Sequence, residues 1–141
     1  MRRIARAGLI VLAAGCALAA GCQRRPEAAP PAAASITVTP GPDGVQVVDV
    51  SEAGPGQFRF VPDTITVGVG RIRLTFRNTG NTPHNLTFSN LVYSGKRVAV
   101  PTIRGGAEES IDFAVSTPGQ YRFVCTIHQA LGQTGTLNVR R

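Results

Sequence analysis

The 141-residue chain contains only two histidines, His84 and His128, and three cysteines, Cys16, Cys22 and Cys125. Catalytic centres that need several imidazoles, and disulfide frameworks that hold small domains together, have too few residues to draw on. Helical patterning is missing too, since no window repeats apolar residues convincingly at the helical period. There is no basic helix and no basic run interleaved with aromatics, so nucleic acid is not an expected partner. No glycine-rich phosphate loop follows a strand.

What is present begins with a targeting pattern. Met1-Arg2-Arg3-Ile4-Ala5-Arg6 is basic, and residues 7–21 are an almost unbroken run of small and apolar side chains. A run of fifteen residues is short for a membrane span, which needs about 20. It also ends in small residues beside a cysteine, as a signal peptide does. The string Leu18-Ala19-Ala20-Gly21-Cys22 resembles the lipobox of bacterial lipoproteins, in which the cysteine becomes the acylated first residue, although the usual leucine would stand at position 19. Leu12-Ala13-Ala14-Gly15-Cys16 repeats the string, but cleavage there would leave an apolar core of only nine residues. Residues 1–21 are therefore expected to be a signal peptide and Cys22 a lipidation site, with plain secretion as the alternative. Residues 22–34 carry three prolines and nothing to bury. At about 3.1 Å per residue such a tether reaches roughly 35 Å, enough to hold a domain off a membrane. The formal charge of +7 falls to +4 once Arg2, Arg3 and Arg6 leave with the signal, twelve basic residues against eight acidic.

Residues 35–141 read as one all-β domain. Ile65, Val67 and Val69 alternate with Thr66 and Gly68; Ile72, Leu74 and Phe76 alternate with arginines and Thr75; Ile111, Phe113 and Val115 alternate with Asp112 and Ala114. Period-two patterning of this kind marks half-buried strands. Further strands are expected over 45–50, 86–88, 120–125 and 136–140. Gly41-Pro42-Asp43-Gly44, Gly54-Pro55-Gly56, Asn78-Thr79-Gly80-Asn81, Gly105-Gly106 and Thr117-Pro118-Gly119 supply the turns. Seven or eight short strands so spaced indicate a β-sandwich, with residues 90–100 left for a short irregular or helical piece.

Chemistry concentrates near the C-terminus. The nine residues from Cys125 to Gln133 carry a thiol, the imidazole of His128 and an amide oxygen, and His84 stands forty-one residues upstream of Cys125. On that expectation Cys16 would leave with the signal and Cys22 would be acylated, so Cys125 would be the one thiol left in an exported domain, where an unpaired cysteine calls for a role. A disulfide to Cys22 and a buried inert thiol are the competing readings. Two imidazoles and one thiolate, with a weak fourth donor, suit a copper ion that changes oxidation state.

The order of His84, Cys125 and His128, the last three residues beyond the cysteine, resembles the cupredoxin family, the small blue-copper proteins typified by plastocyanin. The resemblance spans roughly the last hundred residues and implies a Greek-key β-sandwich holding one copper ion. In that family an axial methionine follows the cysteine by eight residues, and here that position is Gln133. A harder amide oxygen there implies a lower reduction potential than a thioether; the alternative is a solvent-facing Gln133 with an empty axis or a backbone carbonyl near Pro83. The resemblance also gives Asn85 and Thr126 the role of hydrogen-bonding the two ligand-bearing loops together, and makes Pro83, Ala130 and Leu131 an apolar docking patch around His128.

The implied function is electron carriage between a redox donor and an acceptor by a monomer on the periplasmic or cell-surface side of a bacterial membrane, held by its lipid. Copper-dependent oxidases and nitrite reductases use additional histidines for further coppers, so an enzyme is not expected. Envelope copper delivery or storage, and a metal-free interaction domain, are the alternative functions. Labile clusters of methionine or histidine, typical of metal carriers, are missing, since the only methionine is Met1.

Overall fold

The computed structural model describes residues 34–141. The expected signal peptide, Cys22 and the tether up to residue 33 lie outside the described residues. Ten strands follow one another: β1 (Ser35–Thr37), β2 (Val45–Glu52), β3 (Phe60–Val61), β4 (Thr64–Gly68), β5 (Gly70–Arg77), β6 (His84–Tyr93), β7 (Lys96–Ile103), β8 (Glu108–Val115), β9 (Gly119–Val124) and β10 (Thr134–Arg140). They form a six-stranded sheet in the order β1-β4-β10-β9-β6-β7 and a four-stranded sheet in the order β3-β2-β5-β8. Among the described residues the one helical element is a 3-10 turn at Gln129–Leu131, and no helix is long and apolar enough to cross a membrane.

The chain changes sheet repeatedly, so consecutive strands such as β4 and β5, β5 and β6, or β7 and β8 lie in opposite sheets. Val48, Val50, Ile72, Leu74 and Phe76 of the smaller sheet meet Ile65, Leu86, Phe88, Phe123 and Leu137 of the larger one, all essentially inaccessible to water. Phenylalanines run through the interior in a connected row: Phe76 to Phe60 at 5.7 Å between ring centroids, Phe60 to Phe123 at 5.2 Å, Phe123 to Phe88 at 5.6 Å and Phe88 to Phe113 at 5.7 Å. Their tilted and edge-on contacts suit the ring quadrupoles. The outer face of the smaller sheet is polar. Arg73 donates to both carboxylate oxygens of Asp112, at 2.9 and 3.0 Å, and this hydrogen bonding holds the Asp112 carboxyl below its ordinary range. The pair is exposed and contributes little to stability.

Three expectations need correction. Residues 90–100 hold no helix: they are the end of β6 and the start of β7, joined by a two-residue turn at Ser94 (φ 49°) and Gly95 (φ 75°), with Tyr93 paired to Lys96. Positive φ at both positions gives the turn the twist a hairpin needs. A register shift between Thr87 and Val92 breaks the alternation of β6, which is why the pattern is hard to see in the sequence. Ten strands replace seven or eight, because β1, β3 and β7 are short or irregularly patterned. Val69 sits outside any strand and is 40% exposed, at the point where the chain leaves the larger sheet for the smaller.

Candidate metal centre

Side chains in a strand alternate between faces, and four strands use this to deliver polar groups to one end of the sandwich. On β6 the buried row Phe88, Leu86 continues to His84. On β9 Phe123 is followed two residues later by Cys125, just past the strand end. The β10 row Val139, Leu137, Gly135 continues backwards to Gln133, and the β2 row Val48, Val50 continues to Glu52. Each apolar row ends in a polar residue at the same edge of the core.

The loop between β9 and β10 is closed by backbone bonds, from Cys125 N–H to Gln133 O at 3.0 Å and from His128 N–H to Cys125 O at 3.2 Å. This brings His128 back over the cysteine. Nδ1 of His84 lies 2.8 Å from Gln133 Oε1, 3.1 Å from His128 Nδ1 and 3.8 Å from Cys125 Sγ, and Sγ stands 3.6 Å from His128 Nδ1. His84, Cys125 and Gln133 are fully buried, and His128 is half-buried. Among the described residues Cys125 forms no disulfide, and Gln133 faces inward, away from solvent.

The donor set fits one soft-to-borderline ion. Ligand atoms held about 2.0–2.3 Å from a single ion stand roughly 3–4 Å from one another, and the ligating atoms of His84, Cys125 and His128 all lie within 4.8 Å of each other. Sulfur, two imidazole nitrogens and an amide oxygen are electron-pair donors turned on one another in a dry pocket, an arrangement that calls for a cation among them. Nε2 of Gln133 is buried without a hydrogen-bond partner among the described residues; the amide is oriented for its oxygen.

Around this cluster, Asn85 donates from Nδ2 to Thr126 Oγ1 at 2.8 Å and accepts at Oδ1 from the Thr126 N–H at 2.8 Å. The residue after His84 is thus clamped to the residue after Cys125. Pro83, Ala130 and Leu131 are exposed, Leu131 by 61%. Three neighbours escape a reading of the sequence. Phe58 stacks on His128 with ring centroids 4.5 Å apart; it lies in an irregular segment after Gly54-Pro55-Gly56, where no period marks it. Ile127, 51% exposed, adds to the apolar surface of the ligand loop. Glu52, only 3% exposed, brings Oε1 to 3.0 Å from Nε2 of His84; a carboxylate in an otherwise apolar inward row was the available signal.

A family model described as a cupredoxin-like domain matches residues 9–139. The chloroplastic plastocyanin major isoform of Arabidopsis thaliana is 31% identical over 118 residues, covering 79% of this chain and 69% of its own length. Oxidized plastocyanin from Dryopteris crassirhizoma superposes with a TM-score of 0.51 at 30% identity, over 66% of this chain and all of that one. Auracyanin A of Chloroflexus aurantiacus, described as a "blue" copper protein, gives 0.58 at 18% identity over 69% of this chain and all of its own, a likeness of fold. With a His–Cys–His cluster at the end of such a sandwich, the site is one for a single copper ion, and the chain belongs to the cupredoxin-like family.

Proposed function

We propose that this cupredoxin is a mononuclear blue-copper electron carrier of the bacterial cell envelope, with His84, Cys125 and His128 as ligands and Gln133 on the axis. The convergence of these side chains at one buried edge of the sandwich carries the reading. Bound there, copper supplies one-electron chemistry between two oxidation states. The residues around it hold the donors still. His84 is fixed by its strand, Cys125 by the bond from its N–H to Gln133, and the two loops by the Asn85–Thr126 clamp. Ligands that barely move between oxidation states keep the reorganisation that accompanies electron transfer small.

His128 is the route to the surface, half-buried and stacked on Phe58. Exposed Pro83, Ile127, Ala130 and Leu131 surround its part of the chain with apolar surface, the composition that suits a redox partner's contact face. Both histidines are committed to one centre, and no further imidazole remains for a catalytic copper. The basic start, the short apolar run and Cys22 support export and lipid anchoring; membrane partitioning and fatty-acid labelling of the full chain, both lost in Cys22→Ser, check this. Labelled Cys22→Ser protein would place the anchor at Cys16.

The copper(II)-loaded full chain is expected to show an intense thiolate-to-copper charge-transfer band. Cys125→Ser should abolish the band with the fold retained by circular dichroism, and a surviving band would refute the ligand assignment. Gln133→Met should raise the reduction potential, because a thioether stabilises copper(II) less than an amide oxygen; an unchanged potential in voltammetry removes Gln133 from the axis. Leu131→Glu should keep the spectrum and slow bimolecular electron exchange with a physiological partner by about tenfold, roughly 1.4 kcal/mol, since a charge desolvated within an apolar contact weakens docking. Stopped-flow rates unaffected across several partners would favour copper delivery instead.

A further inference from the structure

The geometry points to Glu52 as a positioning residue for the copper site: its carboxylate selects the His84 tautomer that leaves Nδ1 free for the metal and enriches that nitrogen as a donor. This rests on His84 being a ligand. His84 is wholly buried and its two ring nitrogens face different surroundings. Nδ1 looks towards Cys125, His128 and Gln133. On the opposite side, Nε2 lies 3.0 Å from Thr82 Oγ1 and 3.0 Å from Glu52 Oε1.

A neutral imidazole carries one N–H and one lone pair, so Nδ1 can donate its pair only if the proton sits on Nε2. Thr82 cannot enforce this, because a hydroxyl serves equally as donor or acceptor, and in the metal-free chain Gln133 Oε1, an acceptor 2.8 Å from Nδ1, draws the proton the other way. The Glu52 carboxylate, with Oε1 3.0 Å from Nε2, favours a proton there over a lone pair through its charge and closeness, without an aligned hydrogen bond. Histidines that ligate metals commonly hand their other ring N–H to such a group, which fixes the ring and raises its basicity.

The placement of Glu52 is difficult to explain by stability alone. Its side chain has no exposure, and neither oxygen has an aligned hydrogen-bond donor among the described residues. Burying a carboxylate so poorly paired is unfavourable, and an apolar side chain would continue the Val48, Val50 row at lower free energy. The surroundings nevertheless make room for it. A methyl on Gly80 would overlap Glu52 Oε2 and come within 2.8 Å of its Cδ. Gly105 lies against the backbone of Gly80 and Asn81 so closely that a Cβ there would stand 2.5 Å from the Gly80 carbonyl oxygen. Asn78 fixes both turns: its Nδ2 donates to the carbonyls of Thr82 and Ile103 at 2.8 and 3.1 Å, and its backbone bonds to Ala107 and Gly106. Thr79 Oγ1 donates to the Glu52 carbonyl at 2.9 Å. Two glycine-containing turns and a buried asparagine thus form a recess that fits one carboxylate beside Nε2.

Nitrogen-15 NMR of the metal-free full chain should find the His84 proton on Nε2; a proton on Nδ1 overturns the proposal without recourse to any variant. Glu52→Gln keeps the shape and offers an amide N–H₂ to Nε2, so it should shift the tautomer towards Nδ1–H. It should also weaken copper binding by roughly 10- to 100-fold and raise the reduction potential, with the charge-transfer band retained. Thr82→Val should leave the tautomer on Nε2. Wild-type tautomer, affinity and potential in a folded Glu52→Gln protein, or a tautomer that responds to Thr82→Val instead, would reduce Glu52 to a packing residue. If wild type binds copper without the band, the functional reading fails, and the metal-free spectrum still decides the tautomer separately.

Discussion

The site depends on the two-residue alternation of side chains along four strands that all run out of hydrophobic residues at one edge of the sandwich. His84, Cys125 and Glu52 each occupy the next inward position after a buried apolar side chain, and Gln133 follows the buried Gly135 on the row of Leu137 and Val139. The packing that excludes water from the core therefore also sets where these polar groups stand. A slip of one residue in the register of β6, β9 or β10 would turn the corresponding side chain to the other face. The interlocked phenylalanines, from Phe76 through Phe60 and Phe123 to Phe88, oppose such slips because each ring fills a space shaped by its neighbours.

Concentrating unpaired donors in a dry pocket works against folding. A buried polar group without a partner costs on the order of 1–3 kcal/mol, and among the described residues the Gln133 amide nitrogen and Glu52 Oε2 are in that position, while Glu52 Oε1 has only its 3.0 Å approach to His84 Nε2. The larger, conventional part of the fold supplies the stability that tolerates them. Bonds local to the site limit its freedom as well: the Asn85–Thr126 pair ties two ligand-bearing segments that are 41 residues apart in sequence, and the bond between Cys125 and Gln133 closes the third. The loop that carries Cys125, His128 and Gln133 is tied by these bonds to the strands on either side of it, and ligands held in place are what fast one-electron exchange requires.

Much of this was legible in the residues. Cys125, His128 and Gln133 share one short loop and His84 is the only other imidazole, so the donor types and their order could be read directly. Period-two patterning marked most of the strands, and the resemblance supplied the Asn85–Thr126 relation. The β6–β7 hairpin was harder to see because its register shift hides the alternation and its turn is only Ser94-Gly95.

The sequence by itself determined the chemistry of the donors, the all-β class and the loop that carries three of the four groups, since each of these follows from local composition and spacing. Only the tertiary structure decided what stands behind and over the ligands. Glu52 reaches His84 because parallel pairing of β2 with β5 carries its row to the same edge of the core, and Phe58 covers His128 because β3 packs beside β2. Neither relation has a sequence period, since each joins residues from separate strands or loops whose proximity arises only when the two sheets close on a shared core.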